Sequence, residues 1–336
     1  MWQSITRLPD YPITQFGYTP SVRASRRSSI GLALILAAAG VFARANPGSP
    51  GQRGATPDAA GLLAGAIDIH VHSSPDNVAR SIDGLEVAKL AHDKGMRAIV
   101  LKNHYDPTAG LAYLARKAVP GIEVFGGIDL NLTVGGMNAI AVEHLTQITG
   151  NWGRLVWMST FDAENQVRYS KENRPFVSVS RNGELLPETR AVIAVIAKHN
   201  LALATGHTSA DEGVLLVREG KRQGVTRMVV THAMNPPVLM DLPHMQAAAA
   251  EGAFIEFVGG SLTTSDAPAR MDRFADAIKK LGARFCILSS DLGQAGNALP
   301  PDGFAAFMQA LMARGISRQD IDVMVKQNPA RLLGLP

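Results

Sequence analysis

The chain has 336 residues, 46% hydrophobic and 18% charged, which suits a folded, enzyme-sized domain and excludes a disordered or fibrous chain. Its formal charge of +4 does not point to nucleic acid. Of 33 basic and 29 acidic side chains, five arginines and one aspartate lie in residues 1–45, which leaves 28 of each sign in the rest. The body of the protein is formally neutral.

The first element in chain order is an export segment. "ASRRSSIGLALILAAAGVFARA" holds paired arginines (Arg26, Arg27), an apolar run of 13 residues from Ile30 to Phe42, and the small-residue pattern Ala43-Arg44-Ala45. The run is shorter than the ~20 helical residues that span a bilayer. The segment resembles a twin-arginine signal. That resemblance implies cleavage after Ala45, a periplasmic or secreted mature protein and no stable membrane anchor. Residues 46–61, "NPGSPGQRGATPDAAG", read as a flexible linker. Residues 62–336 then form one domain.

From Ala66 onward one unit recurs: a polar helical stretch, a glycine or asparagine, a short apolar strand and a polar turn. The strands are "AIDIHVH", "RAIVLKNH", "EVFGGIDLN", "RLVWMST", "LALATGH", "RMVVTH", "AFIEFVG" and "RFCILSSD". Gly95, Gly121, Gly153, Gly224, Gly252 and Gly282 precede most of them, where helix-ending glycines belong. Eight such units predict a (β/α)8 barrel; a doubly wound open sheet is the alternative. The longest gap holds "RPFVSVSRNGELLPE", whose Asn182-Gly183 predicts a β-hairpin inserted after the fourth strand, over the barrel mouth. Cys286, the single cysteine, reads as a buried core thiol.

The barrel directs attention to C-terminal strand ends, where functional groups of this fold gather. Alternation along a strand puts His70 and His72 on one face, and two adjacent imidazoles are good ligands for one divalent cation. Of the nine histidines, five fall at strand ends: His70, His72, His104, His207 and His232. His92, His144, His199 and His244 fall on or beside helices and read as solvated or satisfied. Asp291 ends the eighth strand. Arg80, after the first strand, could face the mouth but reads better as a surface arginine, and Glu256 as a partner of the site residues or part of the barrel's polar interior. Gly126-Gly127 and Gly135-Gly136 suggest close backbone approaches around the third loop.

These residues resemble the amidohydrolase superfamily of metal-dependent hydrolases, over nearly all of residues 66–336. The closing "NPARLLGL", residues 328–335, is similar to that superfamily's C-terminal helix. The resemblance implies that His70, His72, His207 and Asp291 bind a divalent metal (zinc, with manganese or iron as alternatives). His232 would bind a second metal or polarise the substrate, and Asp291 would take a proton from the attacking water. It implies hydrolysis of an amide, ester or lactone bond in a small molecule, and leaves room for a homo-oligomer. One departure concerns the fourth strand, which lacks the lysine or glutamate that bridges two metals in many members; Asp162 is the nearest carboxylate. Lys102 at the end of the second strand could be carboxylated and bridge metals, bind an anionic substrate group, or pair with Asp129. One or two ions are both open.

A second family, the PHP phosphoesterases, resembles "HVHSSPD", "KNHYDPT" and "SSDLG", but Asn103 and Gly293 stand where two of its ligands belong. A binding barrel without catalysis is the alternative outside enzymes; a base on the eighth strand speaks against it. The export reading predicts a mature form beginning at Asn46 in mass spectra of the protein made in its host, and a full-length cytoplasmic species alone would contradict it.

Overall fold

The computed structural model describes residues 59–336; the expected export segment, residues 1–45, and residues 46–58 of the expected linker lie outside the described residues. Eight apolar runs form strands β1 Ile67–Val71, β2 Ala98–Leu101, β3 Glu123–Asp129, β4 Gly153–Trp157, β5 Ala202–Ala204, β6 Met228–Val230, β7 Phe254–Val258 and β8 Cys286–Ser289. Each pairs in parallel with the next. The chain just past β8 returns to β1: Asp291 N donates to His70 O and His72 N donates to Leu292 O, both at 2.9 Å, with a bridge between Val71 and Leu292. This is the (β/α)8 barrel expected from the repeat. Among the described residues no helix is long and apolar enough to cross a membrane.

The repeat folds this way in part because several helices carry their own start and stop. Asp83 and Ser209 form capping boxes with Glu86 and Glu212, which satisfy backbone N–H groups that helix geometry leaves unpaired. Gly95, Gly224 and Gly252 end helices at φ of 74°, 88° and 100°. Gly153 differs from that expectation. It is the first residue of β4, and a Cβ there would lie 2.6 Å from Leu145; packing, not chain reversal, requires it.

Two apolar layers result. The outer layer packs strand faces such as Ile99, Leu101 and Val124 against the helices. The inner one fills the barrel with Ile67, Ile69, Ala98, Val100, Phe125, Leu155 and Trp157. The C-terminal helix Asn328–Leu333 adds Leu332 and Leu333 to the inner layer. It is tethered by Asn328 Nδ2, which donates to Cys286 O at 2.7 Å. Cys286 is fully buried, as expected.

One irregularity sets up the barrel mouth. Between Asp68 and Val71 the β1–β2 register slips, with one extra residue on β1. Before the slip Ile67 and Ile69 face the barrel interior; after it Val71 faces the helices, and His70 and His72 turn into the mouth. A bulge of this kind re-aims side chains.

The insertion after β4 contains the expected hairpin, Ser180–Arg181 with Glu184–Leu185, turning on Asn182 and Gly183 at φ of 52° and 81°. A short helix, Glu164–Tyr169, precedes it; six residues are too few for a periodic signal. Gly126 and Gly127 do make close approaches, but to the chain: Cβ atoms there would lie 2.4 Å from Thr108 C and 2.3 Å from Leu155 O. Leu332 is 0% exposed, so Leu332→Ala should cost about 2–5 kcal/mol, read as a fall in the denaturation midpoint at unchanged slope.

Candidate metal centre

His70 and His72 stand at the end of β1 with ring centroids 5.1 Å apart. Each is held from behind. His72 Nδ1 meets the backbone oxygen of Lys102 at 2.8 Å. A carbonyl oxygen only accepts, so Nδ1 carries the proton and Nε2 presents a lone pair. His70 Nδ1 meets Glu256 Oε1 at 3.1 Å, and the same logic leaves its Nε2 free. Both Nε2 atoms point at one oxygen, Asp291 Oδ1, at 3.2 and 3.1 Å. The three ligand atoms lie within 4.8 Å of one another.

Three acceptors converging with no donor between them repel unless a cation joins them. A proton is one such cation. Burial works against charge on His70, but Asp291 and Glu256 outweigh it and hold its pKa above the ordinary imidazole value. Burial pushes His72 down to about 3, against the pull of Asp291. Burial also works against the charge on Asp291, yet His70 and His72 hold its carboxyl well below the usual range. A divalent ion answers the same demand, and two imidazoles with a carboxylate are a donor set that zinc, manganese and iron accept. The residues present fit such an ion; His70 Nε2 is buried without a hydrogen-bond partner.

The backbone enforces this aim. His232 and Asp291 occupy positive φ, 27° and 48°, a strained conformation that persists where surrounding structure holds it. Asp291 is held by its N–H on His70 O. His232 N donates to Glu256 Oε2 at 2.7 Å, and Ser289 Oγ donates to Glu256 Oε1 at 2.6 Å. Glu256 therefore braces β1, β6 and β8 at once.

His207 and His232 share the cavity but lie outside the group of three. Their ring centroids are 4.8 Å apart, and His232 is 6.1 Å from His70. His207 Nδ1 is engaged by Gln166 of the insertion helix at 2.9 Å, while His232 Nδ1 is buried without a partner. Burial lowers the pKa of both, helped at His207 by the charges of His232 and Lys102. His104 stacks on His72 and, with centroids 3.5 Å apart, on Phe161; its Nδ1 meets Thr160 Oγ1 at 2.9 Å.

Of the three arrangements open to Lys102, the structure has the pair with Asp129: Nζ lies 3.2 Å from Asp129 Oδ2, both side chains 0% exposed. Asp162 faces away from the histidines; it accepts from Leu132 N and Arg174 Nη1 at 2.9 and 2.6 Å. Arg80 corrects the surface reading: its side chain is 2% exposed, paired with Asp76 and 3.3 Å from His72 Nδ1. Asp76 sits four residues back on a tight loop, and that spacing was the available signal. The four remaining histidines lie on helices or at a helix end as expected, three of them beside acids such as Asp93, Glu143 and Asp241. At the two positions that fail the phosphoesterase pattern, Asn103 donates to Pro75 O, and a Cβ on Gly293 would lie 2.0 Å from His72 O, which leaves no room for a histidine.

A model of a family of unknown function (DUF6282) matches residues 65–256, a stretch that includes His70, His72, Lys102, Asp129, His207, His232 and Glu256. No curated protein matches the sequence. Solved structures share the fold at low identity. An amidohydrolase from Burkholderia multivorans with bound zinc is 15% identical with a TM-score of 0.57, over 81% of this chain and 100% of its own. An amidohydrolase from Pseudomonas aeruginosa is 13% identical at 0.55, over 82% and 98%. A mutant of a PTE-like lactonase from Deinococcus radiodurans is 17% identical at 0.52, over 82% and 97%.

The bracing of His70 yields a prediction. Glu256→Ala removes the acceptor that fixes its tautomer, and metal affinity should fall about 10–100-fold, read by competition with a chromophoric chelator. Unchanged affinity would show that His70 needs no brace.

Proposed function

The chain belongs to the DUF6282 family, and we propose that this member is a metal-dependent hydrolase of a small molecule carrying an amide, ester or lactone bond. The observation that carries the reading is the convergence of His70 Nε2, His72 Nε2 and Asp291 Oδ1: two buried imidazole nitrogens and one partly exposed carboxylate oxygen within 4.8 Å of one another. The names of the solved structures that share the fold support it.

In this reading His70, His72 and Asp291 hold the ion, with His207 and His232 on the facing wall. When bound, the ion supplies Lewis acidity toward water and toward a carbonyl oxygen. The protein's own groups do the rest. Asp291 turns Oδ1 toward the imidazoles, which leaves Oδ2 to accept a proton and return it to the leaving atom. His70 and His72 hold its carboxyl well below the usual range, so it stays ionised at neutral pH. His232, buried and neutral, has Nδ1 unengaged and offers a substrate oxygen a hydrogen-bond donor. Phe161 stacks on His104 and gives the mouth an apolar surface beside the histidines. The export segment supports action outside the cytoplasm.

The test uses metal-loaded protein and a panel of lactones, esters and amides. His70→Ala/His72→Ala should abolish metal uptake and with it the stabilisation of about 2.7 kcal/mol that an ion at 100 times its Kd confers. Asp291→Asn, restored to full occupancy, should lose ~10² to 10⁴ in turnover. Full occupancy without turnover of any substrate by the wild type would favour the non-catalytic binding barrel.

A further inference from the structure

The barrel mouth contains a fixed cation of its own. Lys102 follows β2, and its side chain is 0% exposed. Its Nζ lies 3.2 Å from Asp129 Oδ2 and 5.5 Å from the centre of the Trp157 ring, the same indole that lies 6.3 Å from the His70 ring. The ammonium is buried without an aligned hydrogen bond, as is Asp129 Oδ1. The other oxygen of Asp129 accepts from Thr160 Oγ1 at 2.8 Å and lies 3.5 Å from His104 Nδ1. Without Lys102, a carboxylate and an imidazole would stand side by side next to the His70–His72–Asp291 group.

The distribution of charge gives that arrangement a meaning. Arg80 pairs with Asp76, Arg174 with Asp162 and Lys102 with Asp129. Among the described residues no lysine or arginine pairs with Asp291 or Glu256, whose only side-chain ion partners are histidines. Those two carboxylates balance one divalent ion. A second would have to enter beside the Lys102 ammonium, in a buried setting where like charges are poorly screened.

Resting on the metal reading above, we propose that Lys102 is a resident cation that holds the site to a single divalent ion, because its ammonium takes the Asp129 carboxylate that a second ion would need. Lys102 is thus a positioning residue, and it remains a free amine.

The experiment counts zinc per chain by plasma mass spectrometry after saturation and gel filtration, alongside the intact mass of each protein. Wild type should hold one equivalent with Lys102 unmodified. Lys102→Gln should take up a second equivalent, and Lys102→Gln/Asp129→Asn should return to one. Lys102→Met, apolar and of similar length, should behave as Lys102→Gln if the glutamine variant does not fold. Two equivalents in the wild type, or Lys102 carrying an added carboxylate, overturn the proposal. So does a folded Lys102→Gln or Lys102→Met that saturates at one, or a double variant that keeps two. A wild type that takes up no zinc overturns the metal reading itself, which separates the two failures.

Discussion

Two imidazole nitrogens and a carboxylate oxygen cannot sit together, buried, with no proton or cation between them. This constraint organises the barrel mouth. Nδ1 of His72 is committed to a backbone carbonyl and Nδ1 of His70 to Glu256, so neither ring can turn its lone pair away. Asp291 is held by the hydrogen bond that closes β8 onto β1. The seam that completes the barrel and the convergence of acceptors are one event. Folding brings together three groups whose mutual repulsion only a cation relieves, which makes a cation part of the folded state's electrostatics.

Around that centre each long cationic side chain is matched. Arg80, Lys102 and Arg174 each face a carboxylate. The Arg80–Asp76 and Lys102–Asp129 pairs, removed from water, contribute little net stability, but they are costly to break one partner at a time. Their effect is placement: they hold the Arg80 and Lys102 charges at fixed points beside the histidines. His72, His104, His207 and His232 are held neutral by burial, a state in which imidazole is a ligand and not a competitor of the ion.

The barrel was legible because its signals are local. The strand–helix unit repeats eight times, and its signals, alternation, helix caps and helix-ending glycines where they occur, are each read within a dozen residues. The strand-end positions of His70, His72, His207, His232 and Asp291 followed from the same register. What lay out of reach was pairing across the barrel. Glu256 was ambiguous because an inward glutamate on one strand says nothing of which histidine it meets two strands away. Lys102 had three readings because its partner, Asp129, is on another strand and the choice depends on a distance. Arg80 was misjudged because loop residues carry no periodicity to show burial. Gly153 followed the pattern of the other pre-strand glycines, yet it serves packing against Leu145.

The extra residue in β1 has an asymmetric consequence. If the same residues alternated along β1 without the bulge, the strand would pair with β2 uninterrupted and, by local hydrogen bonding, would be the more regular one. Past Ile69, every side chain would exchange inside for outside. Both imidazoles would turn toward the apolar helix layer while Val71 entered the mouth. The tidier barrel would be the inert one. A single backbone irregularity, invisible to composition and to side-chain chemistry, separates a barrel with a cation site from one without.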